Sequence, residues 1–363
     1  LTVLENKLKK WVKKSKNWRL NAKSFAENFL KEGLIDRAIT RDTDWGVEIP
    51  LKGYENKKIY VWFEAVCGYL SACKEYSNSR KNKNYWKKFW LTNSTEHFYV
   101  HGKDNIPFHT IVWPAILIGF GKLHLPDHII SSEYLLLENK QFSKSREWAV
   151  WLPDFLENFN GETLRYFLIT NGPETADANF TWQEYQAKTN GELINNFGNF
   201  VHRIFSFIKN NYPEGIRPSK KLSNENKKLL KLTEKTFTLA GKALDNGQFR
   251  DGLKYVFQLV EEGNRYLQKT APWLKVKEDR QEAASDLAIA LNVIANLAIL
   301  IEPYLPDSSK KIKEHLDAPP SPKWQYAKPT NKVFKLKNAD KLQPLFQKIE
   351  DEQIQAQLDK LGK

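Results

Sequence analysis

Apolar positions recur with a helical period at the start of the chain. Leu4, Leu8, Trp11 and Val12 form an apolar stripe, and lysines fill most of the positions between them. An apolar residue at every third or fourth position is typical of one face of an amphipathic helix. The pattern therefore predicts that residues 1–35 are helical.

After residue 35 the chain shows short apolar runs that are separated by turns and helical patterns. Residues 58–62 and 96–100 are β-branched and aromatic runs of strand length, and another extended run begins at Leu125. Helical patterns follow the first two runs, and Pro107 suits the first turn of the second helix. Strands that alternate with helices form parallel sheets. This region is therefore predicted to have an α/β fold.

From about residue 185 the pattern becomes almost entirely helical. Long amphipathic stretches run over residues 186–211, 222–246, 249–270 and 280–304. Few strand signals occur among them, so we predict an α-helical bundle. Residues 319–329 are proline-bearing and weakly patterned, and the charged segment from Gln347 onward is predicted to be helical and to end as a linker.

Composition narrows the class of protein and the kind of partner. The chain has 363 residues, 41% hydrophobic residues and a net charge of +13, so it can hold two or more folded domains. A basic chain favours a polyanionic partner, with nucleic acid ahead of a membrane surface. No stretch is expected to span a membrane. Cys67 and Cys73 lack the further ligands that a zinc site needs. We therefore expect both cysteines to be free thiols in a reducing cytoplasm.

The tripeptide Ser143-Lys144-Ser145 is the first candidate for chemistry. A lysine between two serines in a short loop can bring one cation and two hydroxyls onto a polyphosphate, although the same tripeptide often marks only a solvated turn. Gly102 and Asp104 form a second candidate, because a glycine after a strand allows close approach and a carboxylate can accept hydrogen bonds from ribose. Read alone, Gly-Lys-Asp is a common turn.

Two sets of side chains fall on shared helical faces and predict either a pocket or core packing. Trp62, Ala65 and Tyr69 are spaced three and four residues apart. A second set is spaced four and four apart and comprises Asn105, His109 and Trp113. An aromatic slot with one or two polar tips suits a thioether, which offers dispersion and a weak acceptor. The residues alone favour core packing over a pocket.

The segments that hold these residues resemble those of methionyl-tRNA synthetases, a family of class I aminoacyl-tRNA synthetases. The resemblance rests on the segments 61–65, 68–70 and 101–115, on Arg41-Asp42 with Trp45-Gly46, and on the Ser-Lys-Ser loop. It covers nearly the whole chain. It implies a Rossmann-like parallel sheet, the second half of the catalytic fold, followed by a helical anticodon-binding domain.

The resemblance also implies roles for the candidate residues. Trp62, Ala65, Tyr69, Asn105, His109 and Trp113 would surround methionine. Gly102 and Asp104 would bind the ribose of ATP, and Lys144, with Ser143 and Ser145, would stabilise charge on the phosphates of ATP–Mg²⁺. Asn199, Arg203 and Trp273 match the residues that read the anticodon of tRNA(Met).

The chain departs from the family pattern at several places. Gln141 and Phe142 replace the first two letters of the KMSKS signature, which leaves one cation fewer, and Val66 replaces a common proline. The His-x-Gly-His signature of class I synthetases does not occur. We therefore expect an N-terminal catalytic half that lies upstream or on a second chain, and a fragment that is inactive alone.

The domain bounds implied by the resemblance follow from these segments. Residues 1–35 would end the connective insertion, and residues 36–145 would form the second half of the Rossmann-like domain. The remaining bounds are 146–185 for a stem-contact and linking segment, 186–318 for the anticodon-binding domain and 319–363 for a C-terminal linker or tail.

Three functions stay open. The leading one is a methionine–tRNA ligase of protein biosynthesis in the cytoplasm. The alternatives are a class I synthetase for another apolar amino acid, which Asn105, His109 and Trp113 disfavour, and a non-catalytic tRNA-binding protein derived from a synthetase. The altered loop at Gln141 and Phe142 favours the last.

Overall fold

The computed structural model describes residues 1–317, 319–321 and 323–362, which form two compact units. Unit 1 comprises Leu1–Tyr134 and Glu174–Ala176, and unit 2 comprises the remainder of the chain. The predicted boundary at residue 318 and the chain end at Lys363 lie outside the described residues. The predicted domain bounds stay predictions.

Unit 1 alternates short strands with helices. Its elements are α1 (Glu5–Lys14), β1 (Asn17–Trp18), α2 (Leu20–Glu32), β2 (Thr40–Arg41), β3 (Lys58–Ile59), α3 (Val61–Ala65), α4 (Gly68–Ser79), α5 (Lys87–Trp90), β4 (Phe98–Gly102), α6 (Trp113–Phe120) and β5 (His128–Ser132). A 3₁₀ turn at Lys103–Asn105 and a π-helix at Phe108–Val112 lie between β4 and α6.

A parallel sheet with the strand order β1-β5-β4 organises unit 1. In β5, His128 to Ser131 are buried, whereas β4 has one covered and one exposed face. Tyr99 is 6% exposed, and Phe98 and Val100 are 46% and 66% exposed. Strand β4 has β5 as its partner along one edge among the described residues, so its other edge is open.

Two expectations for unit 1 are wrong in detail. Residues 1–35 are not one helix, because Asn17–Trp18 leave the helical path to pair with β5. Residues 58–62 are not a buried strand of the parallel sheet. Lys58–Ile59 pair antiparallel with Thr40–Arg41, and the chain turns into α3 at Val61.

Unit 2 is mainly helical. Its elements are β6 (Leu135–Leu137), β7 (Lys140–Gln141), α7 (Leu152–Asn158), α8 (Gly161–Asn171), β8 (Ala178–Phe180), α9 (Trp182–Lys188), a π-helix (Thr189–Gly198), α10 (Asn199–Asn211), α11 (Asn224–Asp245), α12 (Phe249–Thr270), α13 (Pro272–Lys275), α14 (Arg280–Leu300), α15 (Pro306–Glu314) and α16 (Asp351–Leu358). The strands β7, β6 and β8 form a small mixed sheet.

Helix α14 is the centre of the bundle. Every residue from Ser285 to Leu300 is buried, against α10, α11, α12 and α15. By length and composition α14 could cross a membrane, which corrects the expectation that no segment is apolar enough. Its most apolar 18-residue window is 89% buried, so packing inside the bundle accounts for its composition.

The described residues after position 318 pack onto unit 2 and do not behave as a free linker. Trp324 Nε1 donates to the Phe237 carbonyl at 3.1 Å, and Leu345, Phe346 and Ile349 are buried. These apolar side chains make the segment part of the core. The overall prediction of a parallel α/β sheet followed by a helical bundle is confirmed.

Candidate functional site

His109 lies at the centre of an aromatic cluster in unit 1. Its Nδ1 is 2.9 Å from the Asn105 carbonyl oxygen, and its Nε2 is 2.8 Å from Tyr69 Oη. Because a carbonyl can only accept, Nδ1 carries the proton and Nε2 accepts from Tyr69. His101 stacks on the His109 ring with centroids 4.3 Å apart.

The charge state of His109 follows from this packing. Burial lowers the pKa of His109 to about 4, which outweighs the hydrogen bond to Asn105. The imidazole is therefore neutral at neutral pH. A neutral imidazole between aromatic rings can contact an uncharged substrate side chain, whereas a charged imidazole would place an ion in an apolar pocket.

Trp113 forms the floor of this cluster. It is 1% exposed, its Nε1 donates to Tyr99 Oη at 2.9 Å, and its ring lies 6.2 Å from that of Tyr69. The Trp90 ring also packs edge-on against the Trp113 ring, with centroids 5.8 Å apart. Trp113 is therefore a core residue that packs against Tyr69, and its role in a methionine pocket stays a prediction.

Trp62 lies in a different environment from Tyr69. Its ring stacks on Phe108 with centroids 4.3 Å apart and an interplanar angle of 12°. Both rings line an apolar cavity of about 450 Å³, together with Tyr60, Phe63 and other residues of unit 1. Of the residues predicted to surround methionine, Trp62 alone is among the described residues that line it.

The expectation of one helical face for Trp62, Ala65 and Tyr69 is wrong in one respect. Helix α3 ends at Ala65 and α4 begins at Gly68, so two helices with a turn between them carry these residues. Sequence reasoning missed Phe108, which stacks on Trp62. Its position directly before His109 was the available signal.

The segment predicted to bind ribose has free space beside Gly102, and a hydrogen bond holds its Asp104 carboxylate. A methyl group placed on Gly102 would meet no atom within 4 Å. Tyr134 Oη donates to Asp104 Oδ1, and Lys103 pairs with Glu133 at 2.9 Å. A three-residue 3₁₀ turn follows Gly102, and helical residues then run from Ile106 through the π-helix into α6, so the helix begins directly after Asn105 as predicted.

The Ser-Lys-Ser loop of unit 2 is a closed turn with a charged tip. Backbone N–H groups of Ser143 and Trp148 donate to each other's carbonyls at 2.9 Å. Lys144 is exposed at the tip, and the Ser143 and Ser145 hydroxyls are 3.4 Å apart. Arg146 Nε donates to Ser143 Oγ at 3.2 Å, which adds a cation that sequence reasoning missed.

Two of the three residues predicted to read an anticodon, Arg203 and Trp273, meet on unit 2. The Arg203 guanidinium lies 5.0 Å from the Trp273 ring centroid, and both line a cavity of about 410 Å³ with His202 and Phe207. Asn199 is exposed one helical turn before Arg203. Ala271, with φ +43°, ends α12, and Pro272 begins the turn that presents Trp273.

Two family models together match most of the chain. A family model for class I tRNA synthetases (M) matches residues 1–205, and one for the anticodon binding domain of methionyl tRNA ligase matches residues 216–362.

Curated relatives are similar over most of this chain. A methionine–tRNA ligase 1 of Alkaliphilus oremlandii is 44% identical over 86% of the chain and 56% of its own length. A methionine–tRNA ligase of Dehalococcoides mccartyi is 40% identical over the whole chain and 65% of its own length. The chain thus spans between about half and two thirds of the length of these relatives.

Solved structures share the fold. The Mycobacterium tuberculosis methionyl-tRNA synthetase bound by methionyl-adenylate superposes with a TM-score of 0.77 at 23% identity, over 86% of this chain and 61% of that one. Its apo form gives 0.80 at 21% identity, over 96% of this chain and 68% of that one. Because the family model covers more than half of the chain, the chain belongs to the class I tRNA synthetase (M) family.

Proposed function

We propose that this chain is the second catalytic half and the anticodon-binding bundle of a methionine–tRNA ligase. The enzyme would convert methionine and ATP–Mg²⁺ into methionyl-adenylate and pyrophosphate, and then transfer the methionyl group to tRNA(Met). The observation that carries the proposal is the neutral His109, held between Tyr69 and Asn105 above Trp113. A charged or small substrate side chain would not match such a site.

Methionine recognition would use aromatic surface and one neutral polar tip. Tyr69, His109 and Trp113 give dispersion contacts to a thioether, and Trp62, Ala65 and Asn105 would complete the pocket. The pocket for methionine would discriminate by shape and polarity, because Tyr69, the neutral His109 and the Asn105 carbonyl are uncharged. A panel of apolar amino acids in ATP–pyrophosphate exchange would separate this proposal from a synthetase of other specificity.

The proposed nucleotide contacts come from the Gly102 segment and from the Ser-Lys-Ser loop. Gly102 leaves room for close approach, and the Asp104 carboxylate, which already accepts from Tyr134, would accept from ribose hydroxyls. Lys144 would stabilise the charge that builds on pyrophosphate as the carboxylate attacks the α-phosphorus, and Ser143 and Ser145 would donate to phosphate oxygens. No proton transfer by the protein is needed for that step.

Two features of unit 1 support an additional catalytic half. Strand β4 has an open edge and an uncovered apolar face, and parallel sheets are normally covered on both faces. The relatives are longer than this chain. We infer that an upstream segment, in the same or a second polypeptide, completes this sheet, and that the assembled enzyme acts in the cytoplasm.

The decisive test is Lys144→Ala in an enzyme that contains the upstream half. ATP–pyrophosphate exchange should fall by roughly 10²–10³-fold, which is the scale for losing one preorganised donor. Lys310→Ala, an exposed lysine on α15, is the matched control and should leave the rate unchanged. An unchanged rate in Lys144→Ala would contradict the role, and absent exchange in the parent enzyme would favour a non-catalytic RNA-binding protein.

A further inference from the structure

Helix α1 of unit 1 presents a continuous face of lysines to solvent. Leu8 and Val12 are 0% and 1% exposed and pack into the core of unit 1, so the opposite side of the helix is uncovered. Every exposed position of α1 except Asn6 is a lysine, and one more exposed lysine follows the helix. We call this surface the lysine face, and it comprises Lys7, Lys9, Lys10, Lys13, Lys14 and Lys16.

An acidic side chain neutralises one lysine of this face. Glu5, the only acidic residue among the first sixteen positions of the sequence, pairs with Lys9 and also accepts from the Leu34 N–H at 2.8 Å. The other five lysines of the face make no ion pair within the described part of the chain. With six lysines and one glutamate, residues 1–16 have a formal net charge of +5.

The spacing of the lysines is unfavourable for the free helix. Lys7, Lys10 and Lys14 are three and four residues apart, and side chains at these spacings are neighbours on a helix surface. Like charges in such positions repel each other and destabilise the helix. Lys7 also lies in the first turn of α1, where the helix dipole disfavours a cation. A bound polyanion would relieve this repulsion.

The buried apolar face of α1 distinguishes it from a membrane-binding helix. A helix that lies on a membrane inserts its apolar face into the lipid, but Leu8 and Val12 are already covered by protein. A nucleic-acid backbone matches the lysine face better. Helix α1 is about 15 Å long, and a duplex carries roughly one phosphate charge per 1.7 Å of its axis. The face can therefore contact several phosphates at once without reading bases.

The position of α1 within unit 1 indicates which part of an RNA it meets. Helix α1 packs against α6, and a methyl group placed on Gly119 of α6 would lie 3.5 Å from Leu4 Cδ1. Leu4 also lines the apolar cavity that contains Trp62, and α6 begins with Trp113. Both tryptophans belong to the proposed methionine site. Because the methionyl group is transferred to the 3′ end of tRNA, that end must approach unit 1.

We propose that the lysine face of α1 binds backbone phosphates of the tRNA(Met) arm that carries the 3′ end. The proposal rests on the proposed function, and it adds an RNA contact in unit 1 to the one at Arg203 and Trp273 in unit 2. The contact is electrostatic and independent of sequence. It therefore contributes affinity, and it does not discriminate among tRNAs.

The test measures the binding of whole tRNA(Met) and of its isolated anticodon stem-loop to the full chain, by fluorescence anisotropy at several salt concentrations. The α1 variant combines Lys7→Gln, Lys10→Gln and Lys14→Gln. It should bind whole tRNA roughly 10- to 100-fold more weakly at low salt, and the slope of log K against log salt should fall by about 2 to 3. Its binding of the stem-loop should not change. Arginine at the same three positions keeps the cations and should restore the affinity.

A matched control separates a local contact from a change in total charge. Lys227, Lys231 and Lys235 are exposed on successive turns of α11. Their combined substitution by glutamine removes the same charge and should leave the binding of whole tRNA unchanged. Equal losses in the α1 and α11 variants would show that net charge alone acts, which would overturn the proposal. The α1 variant should unfold at an unchanged or higher temperature, because fewer like charges face each other, so weaker binding cannot come from unfolding.

Arg203→Ala separates failure of this inference from failure of the proposed function. If Arg203→Ala weakens the binding of both RNAs and the α1 variant binds whole tRNA like the parent, the lysine face is wrong and the proposed function stands. If neither variant weakens the binding of either RNA, the proposed function fails as well. Equal weakening of both RNAs in the α1 variant would move the contact to the anticodon arm and overturn the assignment. Lost binding to vesicles of anionic lipid, with tRNA binding intact, would assign the face to a membrane surface instead.

Discussion

The two units of this chain bury their secondary structure to very different degrees. In unit 2, helix α14 is surrounded by other helices, and every residue from Ser285 to Leu300 is buried. In unit 1, β4 is an edge strand with an uncovered face on which Phe98 and Val100 are exposed. Unit 2 therefore has a complete core, whereas the sheet of unit 1 is open to a further partner.

This difference indicates which unit is more stable by itself and which unit is suited to bind a further segment. A fully enclosed helix gains its stabilisation from packing within the unit itself. An open strand leaves backbone donors and acceptors without partners, which lowers local stability and invites pairing. We expect unit 2 to unfold at higher denaturant concentration than unit 1, and three experiments can sharpen or break this comparison.

The largest effect is expected from a cavity in the bundle. Leu297 of α14 is 0% exposed, so Leu297→Ala should lower the free energy of unfolding of unit 2 by about 2–5 kcal/mol. Hydrogen exchange of α11, α12 and α14 peptides measures the loss, and β4 and β5 peptides should keep their protection. Leu274→Ala, at a residue that is 64% exposed, is the control. Equal losses in both units would show that the two are energetically coupled.

The pH dependence of stability, which follows from buried histidines in unit 1, is a second expected difference between the units. Burial lowers the pKa of His97 and His101, and it lowers that of His109 to about 4. The unfolded chain therefore binds more protons at these histidines than unit 1 does between about pH 6.5 and pH 4, so the stabilisation that the neutral histidines contribute is fully present above this window and is lost as pH falls through it.

The contribution of His109 can be isolated with a variant. Its shift corresponds to about 3 kcal/mol at the acid end of the window. In His109→Gln, unit 1 should lose less stability than in the parent between pH 7 and pH 4.5, as measured by urea unfolding or by exchange of β4 and β5 peptides. The same pH slope in parent and variant would show that His109 is not kept neutral by the fold.

The bundle could be predicted from sequence because its signals are local and repeated. Helices α11, α12 and α14 begin within two residues of the predicted positions. The Ser223 side chain caps α11 by accepting from the Asn226 N–H, and Asp279 caps α14 by accepting from the Glu282 N–H. The burial of Leu345 and Phe346 was missed, because sequence patterns cannot show which surface a loop covers.

The aromatic cluster could be predicted only in part. The residue types and spacing at Asn105, His109 and Trp113 indicated a shared face, and His109 does bond both Tyr69 and the Asn105 carbonyl. The π-helix at Phe108–Val112 was missed, although Pro114 was a signal. Because proline cannot donate to the carbonyl four residues before it, the helix changes its bonding pattern just upstream.

The third and smallest effect on the stability of this chain alone is expected from a substitution in the edge strand β4. Val100 is 66% exposed, so Val100→Lys should change the stability of this chain by less than about 0.5 kcal/mol. In the presence of the upstream segment, however, the lysine would be placed where apolar contact is expected, and charged edge residues oppose strand addition. Val3→Lys, at a residue that is 88% exposed and outside the sheet, is the matched control.

Hydrogen exchange of Phe98–Gly102 shows whether the upstream segment pairs with the open edge of β4 or joins unit 1 elsewhere. If the upstream segment completes the sheet, adding it should protect these amides in the parent and in Val3→Lys, but much less in Val100→Lys. Equal protection in all three would mean that the segment joins unit 1 elsewhere. The exposed face of β4 would then remain uncovered when the upstream segment is bound, and the difference between the closed bundle of unit 2 and the open sheet of unit 1 would remain in the longer protein.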